Sequence, residues 1–353
     1  MAHQKSALTR HVFAGAAALA VAATLSVAAP SQSVAQDKTV TLRLAHWLPP
    51  AHPLHPSWQE WGKSLEAATN GTVKLQIFPA QQLGAAKDHY DMARDGVADL
   101  TYVNPGYTPG RFPIIAGSEL PFLFSNGKSG SAAIDAWYRK YAEKEMADVK
   151  VCMTFVHDPG TFHSKVKIAK PDDVKGLKIR PGNATVARLV TLAGGTNVQV
   201  TAPEARDALE RGVADALTFP WDSIFIFGID KAVKYHTDVP LYISNFVLAM
   251  NKGAYAKLSP AQQKAVDEHC TSEWSEKVNT RWSDAEASGK AKMLALPGHE
   301  AVKPSADDMA AWQKIADEMT KAWYEDVKKV GVDGKTALDE LKAELKKRNA
   351  AAS

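Results

Sequence analysis

The 353-residue chain has little to offer a catalyst. It has no Gly-x-Ser-x-Gly nucleophile elbow, no Gly-x-x-x-x-Gly-Lys phosphate loop and no Gly-x-Gly-x-x-Gly fingerprint. Those absences argue against the common hydrolase, nucleotide-binding and dinucleotide-binding readings. Charge of one sign is also missing. Basic and acidic residues number 42 and 39. Such a balance gives no reason to expect nucleic acid or an anionic membrane surface as partner. Beyond the first 35 residues no apolar run is long enough to cross a bilayer. Cysteine is scarce, with only Cys152 and Cys270. In an exported protein the two could form a disulfide or remain as buried thiols, and spacing alone leaves both open.

What is present begins with a leader. Lys5 and Arg10 precede an apolar run from Val12 to Ala29, which ends in Ser33-Val34-Ala35. A basic start, an apolar centre and small residues at the end form a secretory signal peptide, with cleavage expected after Ala35 and export to the periplasm. The remaining 318 residues carry a net charge of +1. That length favours two domains over one core.

Strand and helix patterns alternate along the chain. Thr39 to Leu44, Val73 to Phe78 and Leu100 to Val103 read as strands. Helical spacing of Leu54, Trp58, Trp61 and Leu65, and a second helix from Gly84 to Gly96, fall between them. The order implies a mostly parallel sheet with helices on its faces. A second unit follows, with strands at Val149 to Val156, Phe162 to Ile168, Gly176 to Arg180, Asn197 to Val200 and Ala216 to Phe219. Helices are expected from Asn183 to Leu192 and after the capping box Thr201-Ala-Pro-Glu204. Ser259-Pro-Ala-Gln262 caps a long helix expected to reach Gly289, roughly 45 Å in length. Its apolar stripe of Val266, Cys270, Trp274, Val278 and Trp282 drifts around the axis, as in a helix that touches both domains. Near the C-terminus Leu338, Leu341 and Leu345 form the inward face of a last helix.

The expected fold is therefore α/β, with two lobes built on mixed, mostly parallel sheets. Lobe I comprises 36–157 and 242–285, and lobe II comprises 158–241 and 286–348, with a ligand cleft between them. Open α/β sheets bind ligands beyond the carboxyl ends of their strands. Those ends hold His46 and Trp47, then Asn104 and Tyr107, then His157, then Arg180, then Phe219, Trp221 and Asp222. A guanidinium at a strand end suits a bidentate grip on a carboxylate, although a surface ion pair would use Arg180 equally well. Phe219 and Trp221 could equally be core residues. His46, His52 and His55 are a weak metal signal, because Pro50 and Pro53 break the helix that usually carries such ligands. No metal and no cofactor is expected.

Several segments resemble one family. Val174 to Pro181 is similar to the segment around the ligand-gripping arginine in the solute-binding (DctP-type) subunits of tripartite ATP-independent periplasmic (TRAP) transporters. Phe78-Pro-Ala-Gln-Gln-Leu-Gly84, Leu120 to Phe124, Ala208 to Asp215 and the leader look like the same family. The resemblance implies a cleft that closes on a small organic acid, Arg180 as its carboxylate anchor, and delivery to a small and a large membrane subunit. A monomer without enzymatic activity is expected. Two departures stand out. Phe219 occupies a position where many members carry Asn before the proline, and Pro159 to Lys165 holds His163 and no second Arg. Both remove polar grips. They disfavour a sialic acid or a C4-dicarboxylate and favour a monocarboxylate with an apolar or aromatic body, such as a 2-hydroxy or 2-keto acid. Two alternatives stay open here: a cationic amine held by aromatics and Asp222, or a secreted enzyme on the same scaffold.

Overall fold

The computed structural model describes residues 37–352. Eleven strands among them form two sheets. In chain order they are β1 (Val40–Ala45), β2 (Val73–Phe78), β3 (Leu100–Val103), β4 (Val149–Val156), β5 (Thr161–Ser164), β6 (Lys178–Arg180), β7 (Thr196–Asn197), β8 (Ala216–Phe219), β9 (Tyr235–Thr237), β10 (Asn245–Asn251) and β11 (Glu300–Val302). The signal peptide and its cleavage site lie outside the described residues.

The first sheet has the order β2-β1-β3-β10-β4, and the second β11-β9-β5-β8-β6-β7. Each is mostly parallel with one antiparallel strand. β10 runs against β3 and β4, and β5 runs against β8 and β9. β2, β3, β4 and β8 fall where the sequence places them. β10 is a central strand that the sequence reading leaves unassigned. Its six residues Asn245 to Met250 are all buried, because both faces of the sheet are covered. A continuous apolar run without alternation has no period by which to recognise it.

The chain passes between sheets at His157 to Gly160 and returns at Asp238 to Ser244. These two crossing segments pair with each other. Gly160 N–H donates to the Tyr242 carbonyl at 2.8 Å, and Leu241 N–H donates to the Gly160 carbonyl at 3.0 Å. Glycine is needed there for space. A Cβ on Gly160 would meet the Phe219 carbonyl oxygen at 2.6 Å and the Tyr242 ring at 2.7 Å.

Seven helices matter for the packing. They are α1 (Leu54–Ala68), α2 (Gly127–Tyr138), α3 (Ala184–Leu192), α4 (Pro260–Glu268), α5 (Ser272–Leu294), α6 (Ala306–Lys329) and α7 (Gly334–Lys347). The long helix expected from Ser259 to Gly289 is in fact two. α4 ends at Glu268, and Thr271 adopts an extended conformation and caps α5 through the Trp274 N–H. The break places Cys270 against β4, where it forms a disulfide with Cys152 across 118 residues of chain. This decides between the two states that spacing leaves open.

α5 does touch both lobes. On the first side, Asn279 donates to the carbonyls of Gly127 and Val156, and Ser275 donates to that of Thr154. On the second, Glu286 accepts from the backbone of Asp222 and Ser223, and Lys290 pairs with Asp238. The last two helices divide their packing. Trp312 of α6 bonds the Ala169 carbonyl beside the second sheet. α7 buries Leu338, Leu341 and Leu345, and the indole of Trp137 in α2 donates to its Ala337 carbonyl at 2.9 Å. So α7, expected with lobe II, packs on a helix of the first sheet.

Candidate ligand-binding cleft

The carboxyl ends of β1, β3, β4, β6 and β8 converge on one narrow cavity. Arg180 ends β6 and is only 2 % exposed. Its Nε donates to the Val200 carbonyl at 3.1 Å, one terminal nitrogen to the Thr218 carbonyl at 3.2 Å, and the other to the Tyr107 hydroxyl at 3.4 Å. Three of five N–H donors are thus used, leaving one on each terminal nitrogen. That is the number a carboxylate takes in a bidentate pair. Among the described residues Arg180 has no carboxylate partner. Glu204 senses its charge, but the Glu204 carboxylate is held by Thr201. A buried cation without a counter-ion is costly unless something anionic arrives.

The other donors near Arg180 are arranged by the backbone. Asn104 Oδ1 accepts the Gly106 N–H at 2.9 Å, and its amide NH₂ lies beside the Tyr107 hydroxyl at the cavity. Tyr107 accepts from Arg180 and from the Ala202 N–H, so its own O–H remains to donate. His157 is different. Its Nε2 accepts from Ser244 N–H at 2.9 Å, so the proton sits on Nδ1 and goes to the Asp158 carbonyl. Burial pushes its pKa down to about 4, with the Arg180 charge acting in the same direction. It contributes a neutral ring with no free nitrogen. Trp47 likewise spends its N–H on the Tyr102 carbonyl and presents its ring.

The remaining walls are aromatic. The Arg180 guanidinium lies over the Phe219 ring, 4.9 Å from its centroid. Phe227 follows at 5.3 Å from Phe219, and Phe246 and Trp282 pack at 5.6 Å. Tyr242 and Ser244 come from the returning crossing segment.

Of the residues singled out in the sequence, Trp47, Asn104, Tyr107, His157, Arg180 and Phe219 line the cavity. Three do not. His46 is fully buried behind it and bonds His55 at 3.0 Å. Trp221 packs on His163 and His236, at 5.2 and 5.4 Å. Asp222 is paired with Lys292 at 2.8 Å. All three lie past the ends of β1 and β8, where the chain leaves the sheet and strand alternation no longer sets which way a side chain points. The pairing of Asp222 also removes the anchor that a cationic amine would need. Missed by the sequence reading were His52, Phe227, Tyr242, Ser244, Phe246 and Trp282. The His52-x-x-His55 spacing pointed near the site but suggested a metal. Among the described residues no cluster of His, Cys, Asp or Glu could hold one.

The profile of the bacterial extracellular solute-binding proteins of family 7, DctP, matches residues 44–326. The chain belongs to this family. As a DctP-type protein it is the solute-binding subunit of a TRAP transporter, and such subunits capture small organic acids. The family is periplasmic, and among the described residues no helix is long and apolar enough to cross a membrane. A TRAP solute-binding protein of Rhodoferax ferrireducens, in complex with copurified benzoate, superposes with a TM-score of 0.82 at 30 % identity, over 88 % of this chain and 99 % of that one. One from Bordetella bronchiseptica with bound (R)- and (S)-mandelate gives 0.82 at 31 % identity, over 87 % and 99 %. Another from a marine metagenome, specific for aromatic acid ligands and crystallised with 3-hydroxybenzoate, gives 0.82 at 28 % identity, over 89 % and 100 %. Among curated sequences, the outer membrane transporter protein TsaT of Comamonas testosteroni is 26 % identical over 334 residues, 91 % of this chain and 96 % of the relative.

Proposed function

We propose that this DctP-type protein captures an aromatic monocarboxylate by closing the cleft on it. The observation that carries the reading is Arg180, buried, held by two backbone carbonyls and without a carboxylate of its own. The ligand carboxylate takes its two free N–H groups, with Tyr107 O–H and the Asn104 amide alongside. Phe219, Phe227, Phe246, Trp47 and Trp282 enclose the ring. One guanidinium and no second cation in the cavity lining suits one carboxylate. The aromatic acids bound by the three neighbouring structures support the same class.

On this reading Trp47, Asn104, Tyr107, His157, Arg180 and Phe219 are ligand contacts. The crossing segments 157–160 and 238–244 divide the lobes. The protein is exported after cleavage at Ala35, works as a monomer and turns nothing over. The closed form presents its ligand to the small and large membrane subunits.

The experiment is isothermal titration of residues 36–353 with benzoate, mandelate, phenylpyruvate, succinate and a panel of aromatic amines. Micromolar or tighter binding of the aromatic acids, with none of succinate or the amines, is the expected result. Binding of amines alone would overturn the reading.

A further inference from the structure

His52 has an unspent donor in the wall of this cleft. It precedes α1, is fully buried and lines the cavity. The backbone N–H of Leu54 donates to its Nδ1 at 3.2 Å, so the neutral ring holds its proton on Nε2. Burial, with His46 adding, lowers its pKa to about 3, so the ring stays neutral at physiological pH. Nε2 has no hydrogen-bond partner among the described residues. Aromatic rings flank it, Trp282 at 4.8 Å and Phe227 at 6.4 Å. Buried donors are ordinarily paired, and one left open in a ligand cavity marks where an acceptor is missing.

The position of this donor is informative. Arg180 lies over Phe219, Phe219 packs on Phe227, and Phe227 packs on His52. Phe219 and Phe227 thus link the guanidinium to the imidazole along the cavity wall. A ligand whose carboxylate reaches Arg180 shares that cavity with His52, which can meet the rest of its body. Benzoate has no acceptor there. We propose that His52 is a specificity-determining residue that donates from Nε2 to an oxygen on the ligand's ring, so that the preferred ligand is an oxygen-substituted aromatic acid such as a hydroxybenzoate. This rests on the aromatic-monocarboxylate reading above. A site built to bond an oxygen discriminates strongly against the analogue that lacks it, because the donor is then buried unpaired.

The test compares benzoate with the 2-, 3- and 4-hydroxybenzoates by titration calorimetry, in the wild type and in His52→Phe and His52→Gln. The expected result is that at least one isomer binds the wild type tenfold or more tighter than benzoate. His52→Phe brings that ratio close to one, and His52→Gln, which keeps a donor, restores part of it. A ratio near one in the wild type, or a ratio that survives in His52→Phe, overturns the proposal. If no aromatic acid binds at all, the broader reading fails with it, whereas equal binding of benzoate and all three isomers sinks only the role of His52. Should His52→Phe not fold, nitrogen-15 spectra of the wild type decide. The His52 Nε2–H resonance should shift and exchange more slowly with the preferred hydroxybenzoate and not with benzoate. A resonance already protected in the free protein and unmoved by ligand would mean that bound water satisfies the donor, and the proposal falls.

Discussion

The guanidinium of Arg180 sits 4.9 Å from the centroid of the Phe219 ring, and the two residues end parallel neighbouring strands, β6 and β8. Both are buried. The ring covers one face of the cation, and backbone carbonyls hold its edge. The arginine is thereby aimed before any ligand arrives, which lowers the ordering cost of binding. Phe at this position gives the guanidinium an aromatic platform in place of a polar contact.

Removing the cation should abolish tight binding without unfolding the protein. Arg180→Ala leaves a ligand carboxylate buried and unpaired, at a cost of about 3–5 kcal/mol, or roughly two to four orders of magnitude in Kd. Arg180→Lys should recover little, because a point charge cannot make a bidentate pair. Calorimetry with benzoate, beside a melting curve for each variant, checks both. An Arg180→Ala variant that binds benzoate as the wild type does would remove the anchor assignment.

Phe219→Asn should weaken aromatic acids in particular. It removes ring contact with the ligand and the cation–π contact with Arg180, together about 1–2 kcal/mol, or roughly 5- to 30-fold in affinity. The variant should lose more affinity for benzoate than for a small aliphatic acid such as lactate. Equal losses for both would mean that the ring only fills space.

Reduction should lower stability. The Cys152–Cys270 bond closes 118 residues and ties β4 to the break between α4 and α5. A loop of that length contributes about 2–5 kcal/mol. The double variant Cys152→Ala/Cys270→Ala should melt several degrees below the wild type, and the wild type should fall similarly once thiol titration shows full reduction. A fully reduced protein with an unchanged Tm would contradict this.

Stability should peak near pH 6.5. Burial lowers the pKa of His46 and His52 to about 3, and of His89, His157 and His236 to about 4. Groups with a depressed folded pKa stabilise the protein above the unfolded value of 6.5, and that contribution is lost as pH falls towards 3–4. Burial raises Glu119 to about 8 and Glu286 to about 7. Their contribution is fully present below 4.5 and is lost as pH rises through the folded values. Between 4.5 and 6.5 the five imidazoles outnumber the two carboxyls, so stability climbs with pH. Between 6.5 and 8 only the carboxyls act, so it declines. Scanning calorimetry at pH 5, 6.5 and 8 should find the highest Tm at the middle value. A Tm that keeps rising to pH 8 would contradict the assignment for Glu119 and Glu286.

The sequence by itself determined the α/β class, most strands of both sheets, the inward face of α7 and the place of Arg180 at a strand end. These depend on local patterning, on caps, and on the rule that strand ends meet the ligand. It also marked the loops that carry Trp47, Asn104, Tyr107, His157 and Phe219. Only the tertiary structure decided which way each strand-end residue turns. His46, Trp221 and Asp222 sit near lining residues and face elsewhere, since they lie in loops past the ends of β1 and β8 whose path is set by tertiary packing. The same holds for Tyr242, Ser244, Phe246, Trp282 and His52. They lie on a crossing segment, a central strand, a long helix and the approach to α1, far apart in sequence. No local signal relates them. They become one wall only when the two sheets, joined by paired crossings and by α5, bring them around a single cavity.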